Sequence, residues 1–204
     1  MRTSSALLAF AALSTAYAQT RSPKRGLVYV PNEESPEDDQ IWVREGSDLT
    51  WYYNYEAEPS EAFAGRAQAD FEFVPMLWGP VDDASFRESV ERQIDGGRNI
   101  THVLAFNEPD GPAQYGGSNT APARAAAVWV RNIEPLAARG VKLGLPACTG
   151  GWGGIPWLQQ FLGNCSELVS DGDRKRNCTY DFVNIHWYGN FEGLASHMGS
   201  YSAA

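Results

Sequence analysis

Ile100-Thr-His-Val-Leu-Ala-Phe106 runs directly into Asn107-Glu108-Pro109, and the fold of the chain is decided by how this stretch is read. A short apolar run closed by polar residues and a proline reads as a buried strand that ends where it meets a loop. An Asn beside a Glu at such a strand end offers a sugar-hydroxyl partner and a proton donor together, which points to glycoside chemistry. Strict alternation puts Asn107 and Glu108 on opposite sides of the strand. For both to face one cleft, the backbone must bulge or twist there.

Working outward, strands alternate with helices. Strands are predicted at Gly26–Val30, Asp48–Tyr55, Phe71–Trp78, 100–106, Val141–Ala147 and Asp181–Tyr188. Helices are predicted from Ser35-Pro36, over Ala84–Asp95 up to Gly96-Gly97, from Thr120 as cap to Arg139 with Pro135 as an interruption, and briefly over Pro156–Leu162. Strand-helix units in series imply parallel strands with helices outside them. About six units fit either an open doubly wound sheet or most of a (β/α)8 TIM barrel, and the strand ends separate the two. Tyr53, Asn54 and Tyr55, then Trp78, Asn107 with Glu108, and His186 with Tyr188 stand at the C-terminal ends of successive strands. Barrels build their sites from several strand ends, whereas an open sheet concentrates its site at one switch point. The expected class is therefore α/β, an incomplete (β/α)8 barrel with about six of its eight units.

The sixth strand adds a parity argument. Val183, Ile185 and Trp187 share one face, apolar enough to meet helices, while Asn184, His186 and Tyr188 share the other. A histidine merely satisfied in a core is the bland alternative for His186, and core packing is the bland alternative for Trp51 and Tyr52. Trp78 and Tyr53 read equally as core and as sugar-stacking surfaces. Gly150-Gly-Trp-Gly-Gly154 lacks the Lys-Ser/Thr of a phosphate loop and reads as a flexible loop beside a cleft.

The first residues concern export. Met1-Arg2, the apolar stretch Ala6–Ala12 and Ala16-Tyr17-Ala18 read as a signal peptide over residues 1–18, with 19–25 a short connecting segment and 26–204 the barrel domain. A formal charge of -9 opposes nucleic-acid and anionic-membrane partners. Of the three cysteines, Cys165 and Cys178 flank a polar loop and are the better disulfide pair, leaving Cys148 as a thiol. No zinc spacing occurs among cysteines and histidines. Asn99, Asn164 and Asn177 open glycosylation sequons, with Asn99 expected to be too buried for use.

The Asn107-Glu108-Pro109 motif, together with Trp51-Tyr-Tyr-Asn-Tyr55, Phe73-Val-Pro-Met-Leu-Trp78, Leu145-Pro-Ala147 and His186-Trp-Tyr-Gly189, resembles glycoside hydrolase family 128, the fungal alkali-sensitive-linkage type of cell-wall hydrolase domain. The resemblance implies a secreted, monomeric, retaining β-1,3-glucanase of cell-wall glucan without metal or organic cofactor. It makes Glu108 the general acid/base and Asn107 the partner of the hydroxyl next to the reacting carbon. His186 and Tyr188 would orient carboxylates, with Tyr53, Asn54 and Trp78 as further substrate contacts. In the family the nucleophile is a Glu ending the seventh strand, so it is expected beyond Ala204. A retaining pair needs carboxyls about 5–5.5 Å apart, and Glu192, Asp110 and Glu33 are poor substitutes. A glucan-binding or wall-structural protein that does not cut is the alternative reading.

Overall fold

The computed structural model describes residues 22–204, so the expected signal peptide lies outside the described residues. Six short strands form: β1 (Gly26–Val28), β2 (Trp51–Tyr53), β3 (Glu72–Phe73), β4 (Met76–Leu77), β5 (His102–Ala105) and β6 (Lys142–Leu143). They pair in parallel as β1-β2-β3 and β4-β5-β6. The predicted third strand is thus one strand in two pieces. Pro75 has no N–H to give a ladder, yet its carbonyl accepts from Leu104 and the Val74 amide reaches Tyr52, so the two sheets run on through this break.

The sixth predicted strand is corrected. Residues 181–188 run beside β6 but join it by a single bridge, Gly144 with Phe182. Side chains occupy the ladder positions: Asp181 Oδ2 accepts from the Leu143 amide at 2.8 Å, and Asn184 Nδ2 donates to the Leu145 carbonyl at 2.6 Å. The approach is close enough that a Cβ on Gly144 would sit 2.6 Å from the Phe182 ring. Six strand positions in chain order, all parallel, make a mixed α/β fold. The described residues show partial barrel-like elements and no closed barrel.

The described residues also hold four α-helices: α1 (Ser85–Asp95), α2 (Pro122–Asn132), α3 (Gly154–Val169) and α4 (Phe191–Ala203). Pro135 interrupts the long predicted helix as expected, and a 3-10 turn, Glu134–Arg139, carries on to the left-handed Gly140. Thr120 does not cap α2; its hydroxyl donates to Ser118, and Ala121 takes the cap position with no side-chain bond. The predicted helix from Ser35-Pro36 is a 3-10 segment, Pro36–Val43. α3 runs well past the expected Leu162, because Phe161 and Cys165 lie one turn apart and both bury fully against the core. Cys165 therefore sits on a helix, and it is bonded to Cys178 across the following loop with a Cα–Cα distance of 5.5 Å. α4 has no counterpart in the sequence prediction; Asn190 starts it by accepting from the Gly193 amide.

The core lies between the outer sheet face and the helices. Tyr52, Phe73, Leu77, Val103, Ala105, Leu143 and Leu145 are buried there, with Trp129 of α2 and Trp157 and Phe161 of α3 packed beyond them. Trp157 Nε1 donates to the Thr120 carbonyl at 2.8 Å, tying α3 to the entry of α2. Asn99, expected to be buried, is exposed. Asn164 lies within α3 with its amide donating to the Gln160 carbonyl.

Candidate active site

The strand carrying the opening motif solves its parity problem in the backbone. Phe106 and Glu108 both take left-handed conformations, with φ of 31° and 42°. Such residues in non-glycine positions carry strain and persist only where their surroundings over-determine them. Here the Phe106, Asn107 and Glu108 amides donate to the carbonyls of Leu77, Trp78 and Ala147, so the strained pair is pinned from both neighbouring strands. Asn107 and Glu108 consequently line the same cleft.

This open cleft, of about 320 Å³, is lined by Tyr55, Trp78, Asn107, Glu108, Tyr115, Gly116, His186 and Tyr188. His186 Nδ1 stands 3.0 Å from Glu108 Oε1 across 78 residues of sequence. Whichever partner holds the proton, the contact fixes the carboxyl toward the cleft. Asn107 is almost fully buried, and its Nδ2 donates to the Gly116 carbonyl at 2.8 Å. That leaves its Oδ1 as the atom available to a ligand hydroxyl. Gly117 completes the turn at a position where a Cβ would lie 2.3 Å from the Gly111 carbonyl oxygen, so only glycine fits.

Trp78 and Tyr188 offer exposed rings at the rim. Tyr53 lies in the adjoining cavity of about 530 Å³, which shares Tyr55, His186 and Tyr188 with the cleft. Burial pushes the Tyr53 phenol up, and the neighbouring Tyr55, Tyr188 and Glu108 add to the effect. The Tyr55 phenol is raised chiefly by burial too. Both stay protonated as hydroxyl donors at ordinary pH. Asn54 is placed elsewhere: its Nδ2 donates to the Glu58 carbonyl and its Oδ1 accepts from the Glu56 amide, closing a turn. Tyr55 and Gly116 were not among the predicted site residues, although Tyr55 stood in the strand-end cluster. Its left-handed φ of 64° turns it into the cleft, and a sequence gives no sign of that.

Glu108 is the one acid that lines the cleft among the described residues. Glu33 and Glu192 are exposed elsewhere, and Asp110 is bound to Thr149. One acid–sulfur cluster, Glu134 with Cys165 and Cys178, has the closeness of a metal site, but both sulfurs are in the disulfide. Glu134 instead accepts from Trp129, Thr179 and Arg176.

Comparison with known proteins places the chain in a family. The family model described as glycosyl hydrolase catalytic core matches residues 26–204. The chain belongs to this family, as a domain of the GH128 type. It is 30% identical over 182 residues to alkali-sensitive linkage protein 1 of Schizosaccharomyces pombe, covering 88% of this chain and 29% of that protein. It thus spans under a third of that relative's length. Among solved structures, a GH128 subgroup III curdlan-specific exo-β-1,3-glucanase from Blastomyces gilchristii, in complex with glucose, is 33% identical with a TM-score of 0.66, covering 88% of this chain and 68% of that one. A GH128 subgroup II endo-β-1,3-glucanase from Pseudomonas viridiflava is 27% identical with a TM-score of 0.68, covering 90% and 68%.

Proposed function

We propose that residues 26–204 carry the acid/base half of a secreted, monomeric, retaining β-1,3-glucanase of cell-wall glucan, whose nucleophile lies outside this sequence. The observation that carries this reading is the Glu108–His186 contact of 3.0 Å within a cleft walled by Tyr55, Trp78 and Tyr188. The family membership and the glucanase neighbours support the substrate class.

In the reaction, Glu108 donates its proton to the glycosidic oxygen as a second carboxylate attacks the anomeric carbon and the bond to the leaving sugar breaks. The Glu108 carboxylate then takes a proton from water, which attacks the same carbon and releases the nucleophile. His186 keeps Glu108 aimed through both steps. Asn107 Oδ1 accepts from the neighbouring sugar hydroxyl, and the rings of Trp78 and Tyr188 stack on sugar faces.

A second reading, a glucan-binding or wall-structural domain, is favoured by the single carboxylate in the cleft. Linear β-1,3-glucan separates the two readings. Residues 19–204 alone are expected to give little or no hydrolysis. A chain extended past Ala204 is expected to release oligosaccharides whose first-formed reducing ends are β by proton NMR. First-formed α ends contradict retention, and tight glucan binding without any product supports the second reading.

A further inference from the structure

Asp110 stands two residues beyond Glu108, yet it lies outside the cleft lining, and each of its oxygens accepts a hydrogen bond. Its Oδ1 accepts from the Thr149 amide at 2.8 Å and its Oδ2 from the Thr149 hydroxyl at 2.6 Å. The buried Cys148 thiol lies against the same carboxylate. The Thr149 hydroxyl oxygen in turn accepts from the Gly151 amide at 3.3 Å. On the motif's side, the Gly111 amide donates to the Glu108 carbonyl, and a Cβ on Gly111 would lie 3.1 Å from Thr149 Cγ2. The loop that carries Glu108 is therefore clipped to the loop that leaves β6.

We infer that Asp110 is a positioning residue, whose bonds to Thr149 hold Glu108 in its left-handed conformation and aim its carboxyl at the leaving oxygen; the inference rests on Glu108 being the acid/base proposed above. The strain supplies the need. A non-glycine residue at φ 42° has allowed conformations of lower energy; the amide bonds to the neighbouring strands hold its N-terminal side against relaxation, and the Asp110 tie holds its C-terminal side. Burial, with the charge of Asp110 adding, pushes the Cys148 thiol up, so Cys148 remains a neutral donor to the clip. An ionised thiol beside Asp110 would break it.

Leaving-group dependence provides the test, since an aryl leaving group of low basicity departs without help from an acid. In the extended, active chain, kcat/KM reports the first, bond-breaking step, which needs the proton from Glu108 for an unactivated β-1,3-gluco-oligosaccharide and does not for a dinitrophenyl β-1,3-glucobioside. Asp110→Ala is expected to lower kcat/KM about 50-fold on the oligosaccharide and less than about 3-fold on the aryl glycoside. Asp110→Asn is expected to recover most of the loss, because the amide oxygen still accepts from the Thr149 amide and its Nδ2 can donate to the hydroxyl. Equal losses on both substrates, or none, overturn the inference. Thr149→Val removes the hydroxyl's bonds to Asp110 and Gly151 but keeps the Thr149 amide bond, and tests the same point if Asp110→Ala fails to fold: a smaller loss confined to the oligosaccharide supports the clip, and an even loss overturns it. Glu108→Gln distinguishes the underlying reading. If it shows the leaving-group dependence and Asp110→Ala does not, only the clip is wrong; if neither shows it, the acid/base assignment is wrong as well.

Discussion

The two faces of the parallel strands have opposite characters. On the outer face Tyr52, Phe73, Leu77, Val103, Ala105, Leu143 and Leu145 are each at most 4% exposed, with Phe63 and Phe71 packed against Tyr52. On the inner face Trp51, Tyr53, Glu72, His102 and Leu104 are half-exposed, while Val74 and Met76 are covered. That face borders two open cavities of about 520 and 530 Å³. Apolar burial holds the scaffold from outside, while the inner face presents rings, a carboxyl and an imidazole to whatever enters. Stability and chemistry are divided between alternate residues of the same strands.

The sharpest way to break this comparison is to make one truncation on each face. Leu143→Ala removes a fully buried side chain and is expected to cost about 4 kcal/mol in denaturant unfolding. Leu104→Ala, on the inner face of the neighbouring β5, is expected to cost about 1 kcal/mol. Equal costs would show that the inner face is covered after all.

Alkaline unfolding gives a smaller effect. Burial raises the outer-face Tyr52 phenol to about 12. The unfolded chain loses that proton near pH 10 while the folded one keeps it. The folded state's advantage is thus intact below pH 10 and lost as pH rises toward 12, a difference worth roughly 3 kcal/mol. Tyr52→Phe is expected to flatten the decline in stability over that window, measured by urea unfolding at stepped pH. An unchanged slope would place Tyr52 in contact with water.

Much of this division was legible in the sequence. The alternation in Trp51-Tyr52-Tyr53 and in residues 102–105 agrees with the two faces. In 181–188 parity set Asn184, His186 and Tyr188 apart from Val183, Ile185 and Trp187, but the segment is not a regular strand: Val183 is exposed, and Ile185 and Trp187 line the same cavity as Asn184, His186 and Tyr188. What was not legible depended on backbone dihedrals and on side chains standing in for backbone. Nothing in Phe106 or Glu108 announces a positive φ. The ladder positions taken by Asp181 and Asn184 look like ordinary strand residues until their partners are known. α3 ran past its expected end because Phe161 and Cys165 bury against the core, which outweighs the Gly163 between them. α4 went unseen because its residues are weakly patterned and none of them is buried.

The central claim is that the inner face works through Glu108. Its most direct test is Glu108→Gln in the chain extended past Ala204, assayed for sugar release from β-1,3-glucan alongside glucan binding. The expected result is loss of hydrolysis by several orders of magnitude with binding and folding retained. Hydrolysis at the unsubstituted rate would contradict the account.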